Sequence, residues 1–127
     1  MGRPTETQLG RGWKARLEDD GWWVQKLPAS NMAGLPDYMT GAPGRGFRFV
    51  EAKRTLKNRG KWAFRRDQLT IAQQFFLDRI HQADQNAASV VILDEEGYLE
   101  VLWGNIGEGV TRHEFDKVKF PYRKETP

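Results

Sequence analysis

Gly34-Leu-Pro-Asp37, the turn Gly41-Ala-Pro-Gly-Arg-Gly46 and then Phe47-Arg-Phe-Val-Glu51-Ala-Lys53 form the stretch whose reading decides the fold of this 127-residue chain. Residues 37–40 and 47–53 read as two strands, and the three glycines and one proline between them suit a tight turn. A hairpin centred near Pro43 and Gly44 sets Asp37 opposite Val50 or Glu51, so two carboxylates become neighbours. Side chains alternate along a strand, so Glu51 and Lys53 share one face while Val50 and Ala52 share the other. An acid and an ammonium therefore share a surface with Asp37.

Working outward, Leu9, Trp13 and Leu17 recur at i, i+4 and i+8, which predicts a helix over 5–20 with Gly21 at its C-terminal boundary. Glu6 lies on the same face. Residues 22–26 read as a short strand, and 27–36 as a loop bracketed by prolines. Downstream, Thr70-Ile-Ala-Gln73 has the spacing of a capping box, which predicts a helix from Thr70 with Ile71, Phe75, Phe76 and Ile80 as its apolar stripe. Residues 89–93 read as a buried strand, Asp94-Glu-Glu-Gly97 as a turn and 98–103 as the returning strand. The order predicts an α/β fold, a central mixed five-stranded sheet flanked by helices. The whole, 1–127, is one domain with a core over about 5–103, and 104–127 is a C-terminal extension that adds an edge strand or a trailing arm.

Composition narrows the chemistry. Hydrophobic residues make up 39% and aromatics 12%, enough for a folded core. With no cysteine and two isolated histidines, thiolate zinc sites, iron–sulfur clusters, disulfides and thiol catalysis are excluded, so any metal is held by oxygen. The glycines of 41–46 spell no phosphate-binding loop. With no signal peptide and no apolar run near the roughly 18 residues that span a bilayer, a soluble cytoplasmic protein without a membrane partner or a small-molecule cofactor is expected. That expectation leaves room for a virus-encoded protein acting in the host cytoplasm.

The net charge of +3 is uneven. Lys53, Arg54, Lys57, Arg59, Lys61, Arg65 and Arg66 fall in one window without an acid, and the rest of the chain holds 13 basic against 17 acidic residues. Such a cluster, with Trp62 and Phe64 inside it, reads as a polyanion contact. A solvated loop, mobile without a ligand, is the bland alternative.

A hard cation such as Mg²⁺ takes two or three carboxylate or carbonyl oxygens. Asp37, Glu51 and the Ala52 carbonyl could supply them, with Lys53 placed to orient or deprotonate a water or to offset phosphate charge. Glu-x-Lys alone is a common cross-face ion pair. Its conjunction with Pro36-Asp37 one hairpin earlier and a basic cluster just after it favours the chemical reading.

Gly34-Leu-Pro-Asp37, Phe47-Arg-Phe-Val-Glu51-Ala-Lys53 and Leu69-Thr-Ile-Ala-Gln73-Gln-Phe-Phe76-Leu77 together resemble the PD-(D/E)XK nucleases. Glu6, Gly21-Trp-Trp-Val24 and Ala29-Ser30 extend the resemblance to the archaeal-type Holliday junction resolvases, over about 5–103. The resemblance implies a restriction-endonuclease-like core, metal ligands at Asp37 and Glu51 and a catalytic Lys53. It implies a further helix carboxylate at Glu6, for which Glu18 competes. Lys26 and Ser30 would touch the phosphate backbone, although the Ser30 hydroxyl also suits a local turn bond. Gln73 matches a glutamine of these nucleases, and the capping box explains it equally. DNA contacts fall to Arg54, Lys57, Arg59, Lys61, Arg65 and Arg66. The implied activity is resolution of four-way junctions by a Mg²⁺-dependent homodimer, with Mn²⁺ as substitute. The outward members of Trp22/Trp23 and Phe75/Phe76 would form the interface. Another nuclease of the same core (flap, end-processing or restriction-type) and a non-catalytic DNA-binding domain are the competing readings.

Overall fold

The computed structural model describes residues 2–28, 33–58 and 60–118. Helix α1 (Glu6–Asp19) begins where Thr5 and Gln8 satisfy each other's free amides: Gln8 N–H donates to Thr5 Oγ1 (3.1 Å) and Thr5 N–H to Gln8 Oε1 (2.8 Å). It stops at Gly21, whose φ of 89° lets the Trp22 N–H reach back to the Leu17 carbonyl at 2.9 Å. Strands β1 (Trp23–Lys26), β2 (Tyr38–Ala42) and β3 (Gly46–Arg54) follow as an antiparallel meander. β3 then pairs in parallel with β5 (Ala88–Asp94), which turns back into β6 (Gly97–Leu102). The parallel step needs a crossover, supplied by α2 (Ile71–Ala83). The sheet order β1-β2-β3-β5-β6 is the mixed five-stranded sheet that the sequence predicts.

Alternation along β5 divides the core in two. Val91 and Leu93 pack with Leu9, Trp13 and Leu17 of α1 and with Val24, Tyr38, Val50 and Ala52. Ala88, Val90 and Ile92 face the opposite way, into a cluster with Leu69 and Leu77. A central strand covered on both faces has no polar side to show, which is why 88–93 is buried throughout.

Three features differ from the sequence reading. Residues 62–65 of the basic run form β4 (Trp62–Arg65) rather than loop, and Ala63 and Phe64 are fully buried. Their partner is β7 (Gly109–Thr111), too distant along the chain for any local pattern to reveal the pairing. Ile106, Val110 and Phe115, the last on α3 (Arg112–Lys117), join the second core cluster, so the core continues beyond residue 103. Phe120-Pro-Tyr-Arg-Lys lies outside the described residues. Finally, the inward line of α2 is Gln73, Leu77 and Ile80, whereas Ile71 is 82% and Phe75 58% exposed. A polar residue on the buried line hid the true stripe. Among the described residues no helix is long and apolar enough to cross a membrane.

Leu77 is the one buried side chain of α2. Leu77→Ala should lower unfolding stability by about 2–5 kcal/mol, and Ile71→Ala by no more than about 0.5 kcal/mol, in urea titrations. Equal losses would restore the stripe read from the sequence.

Candidate active site

The β2–β3 register pairs Tyr38 with Val50, and one step further along the ladder Asp37 meets Glu51. The two carboxyls are close enough that Asp37 raises the hold of Glu51 on its proton. Asp37 Oδ2 also accepts the Ala52 N–H at 2.9 Å, which fixes it against β3. Glu51 is 3% exposed; its Oε2 accepts from Gln73 Nε2 at 3.3 Å, and its Oε1 is buried with no hydrogen-bond partner. Burial foremost, and then the charge of Asp37, push the Glu51 carboxyl up to about 9. Lys53, on the same strand face, pulls the other way, and among the described residues it makes no ion pair. Glu6, the first residue of α1, accepts the Arg54 N–H at 3.0 Å. A cleft of about 120 Å³ opens between Glu6, Lys26, Asp37 and Ala52.

Two glycines and a cap hold these groups together. Gly34 has a φ of 84°, and a side chain there would collide with the Ala72 carbonyl in the first turn of α2. The loop that delivers Pro36-Asp37 is therefore pressed onto the start of the helix that carries Gln73. Gln73 Oε1 accepts the Thr70 N–H at 2.8 Å, which leaves its Nε2 to donate to Glu51. The capping and site readings of Gln73 thus hold at once, because the amide has two ends. Gly10 lets the Tyr38 hydroxyl lie where a Cβ would be 2.6 Å away, so α1 sits close enough to the sheet to set Glu6 at the cleft.

The remaining sequence candidates divide. Lys26 closes the cleft, its ammonium 5.0 Å from the centre of the Tyr38 ring. Glu18 pairs with Lys14 at 3.2 Å, about 18 Å along α1 from Glu6 at 1.5 Å per residue, and does not reach the cleft. Arg54 turns to Glu95 (3.7 Å) and Lys57 to Asp94 (2.7 Å). Arg66 lies over the Trp103 ring at 4.1 Å and bonds Gln74 at 3.1 Å. Lys61 and Arg65 flank the Trp62 ring at 5.0 and 5.1 Å, and Arg65 also meets Asp67 at 3.4 Å. Ser30 and Arg59 lie outside the described residues. The sequence reading missed Tyr38 and Thr7, which also line the cleft. The only sign of them is their adjacency to Asp37 and Glu6. Among the described residues no three of Asp, Glu, His and Cys gather as a metal-holding group. The site is a carboxyl pair with Glu6 to one side.

No sequence family and no curated protein matches the chain. A solved structure does: Hjc, a Holliday junction resolvase of the archaeal hyperthermophile Archaeoglobus fulgidus, superposes with a TM-score of 0.56 over 76% of this chain and 75% of its own, at 17% identity. This chain has the fold of that resolvase. The restriction-endonuclease-like core implied by the sequence resemblance is therefore present.

The Glu51 carboxyl gives a pH signature. Its folded value lies above the ordinary 4.5, so the folded protein keeps a proton that the unfolded chain releases. The stability from that proton is complete below 4.5 and is lost as pH rises towards about 9. In EDTA, denaturant midpoints should fall between about pH 5 and about pH 8.5, and Glu51→Gln should flatten that decline. A wild-type midpoint that holds steady or rises over this range would contradict the assignment.

Proposed function

We propose that this protein is a Mg²⁺-dependent endonuclease that resolves four-way DNA junctions as a homodimer. The observation that carries the proposal is the Asp37–Glu51 pair, with an unpartnered buried oxygen, on a fold shared with a Holliday junction resolvase. Two neighbouring carboxyls, Asp37 lining the cleft and Glu51 buried with an unused oxygen, both without a cationic partner within ion-pair distance among the described residues, suit a hard divalent cation. Asp37, Glu51 and the Ala52 carbonyl would hold Mg²⁺ or Mn²⁺, with Glu6 as a further carboxylate. Such an ion, when bound, supplies charge neutralisation at a phosphodiester and acidifies a water.

The chain's own residues do the positioning. Gln73 fixes Glu51 through Oε2 and leaves Oε1 without a hydrogen-bond partner. The Ala52 N–H fixes Asp37. Lys53 Nζ, free of an ion pair among the described residues, offsets charge on the phosphate under attack or takes the proton of the attacking water. Lys26 at the cleft and Lys61 and Arg65 beside Trp62 offer phosphate contacts. Arg54, Lys57, Arg66, Ser30 and Arg59 belong to the same proposal, the first three by exchanging their present partners for phosphate. Phe75, exposed on α2, is the dimer contact that this reading favours. A two-fold dimer presents two sites related as the two cuts of a junction are.

With Mg²⁺, the protein should cut a labelled four-way junction in preference to a linear duplex, and Asp37→Asn or Glu51→Gln should abolish cutting while junction binding persists. Equal competition by duplex would overturn the junction assignment, and undiminished cutting by either variant would remove this site. Replacing Lys61 with Ala should flatten the slope of log K against log salt by about 0.9; an unchanged slope would show that it touches no phosphate.

A further inference from the structure

The β3 row that carries Glu51 and Lys53 continues backwards through Phe49 to Phe47 on the same sheet face. Phe47 is 56% exposed, and its ring meets Phe49 edge-on at 6.1 Å. In register with Phe47, across Gly41 of β2, stands Trp23 of the edge strand β1, 52% exposed. Gly41 has no side chain, so bare backbone separates the two rings. A Cβ at Gly41 would touch both, at 3.5 Å from Phe47 Cβ and 3.7 Å from Trp23 Cε3. Neither ring is needed to complete the core clusters beneath the sheet.

We infer that Trp23 and Phe47 form a stacking platform for unpaired nucleobases of the DNA strand that enters the Asp37–Glu51 site. The inference rests on the nuclease reading and names the feature of the substrate that this face selects. Four residues of strand separate Phe47 from Glu51, about 13 Å, the axial length of about four nucleotides. Lys53 stands at the far end of the row and makes no ion pair among the described residues, whereas the Arg45 guanidinium at the turn lies 5.6 Å from the Trp22 ring, which packs against the α1 core on the opposite face. Two open aromatic faces with a cation at the site end of the row match a single strand, since every base offers a π-face and the phosphates run on towards Lys53. A second copy of the chain fits less well. Two half-exposed rings offer roughly 200 Å², far below the roughly 800 Å² per partner of a stable interface.

The test compares two labelled four-way junctions in EDTA, one fully paired and one with two unpaired thymines at the branch, by fluorescence anisotropy. Wild-type protein should favour the junction with unpaired bases. Trp23→Ala and Phe47→Ala should each reduce that preference about five- to a hundredfold, and Trp23→Phe should retain most of it. A preference that both alanine variants leave unchanged overturns the platform, while cleavage of junctions with Mg²⁺ would leave the nuclease reading standing. A shift of either alanine variant from dimer to monomer, with the preference intact, gives the face to a second copy and also overturns it. Wild-type protein that binds neither junction sinks the nuclease reading and this inference together.

Discussion

The contact between the Asp37 and Glu51 carboxyls is the constraint on which the rest of the site depends. Two carboxyls are set side by side by a backbone register, and one of them is buried. An unpartnered buried oxygen costs about 1–3 kcal/mol, and no nearby cation relieves it: Lys53 biases Glu51 without closing to an ion pair. The surrounding packing makes such an arrangement tolerable. β3 is a central strand between β2 and β5, and the Val50 and Ala52 side chains on either side of Glu51 are locked into the α1 core. The carboxyls cannot separate without breaking the hairpin or emptying that core.

Each other element of the site acts by holding this pair in place. The capping box at Thr70 both starts α2 and aims the Gln73 amide at Glu51, and Gly34 presses the Asp37 loop against the same helix turn. Gly10 brings α1 down onto Tyr38 and so carries Glu6 to the cleft. The β4–β7 ribbon, packed through Phe64 and Val110, presents Lys61, Trp62 and Arg65 as a rigid edge instead of an open loop.

Local patterns carried most of this in the sequence. The hairpin was legible because glycine and proline punctuate it, and its two-residue periodicity places Glu51 and Lys53 on one face. Both long helices were legible from their ends, Gly21 after the first and Thr70 before the second. Nonlocal features were not. β4 finds its partner in Gly109–Thr111, beyond the reach of any window, so a charged segment with a buried Phe64 looked like loop. The α2 stripe was misplaced for a chemical reason, since the buried line begins with Gln73, a polar side chain turned inward to meet a carboxyl. For Glu6 against Glu18 the sequence offered little beyond the acidic neighbours of Glu18, and the close approach of α1 at Gly10 sets Glu6, not Glu18, beside the cleft.

Whether the Asp37–Glu51 pair holds a divalent cation is read by calorimetric titration of the DNA-free protein with MgCl₂. The wild-type chain should bind Mg²⁺ saturably, and both Asp37→Asn and Glu51→Gln, each still folded by circular dichroism, should lose that binding. Binding of equal strength in either variant, or none in the wild type, would contradict a cation site at this pair.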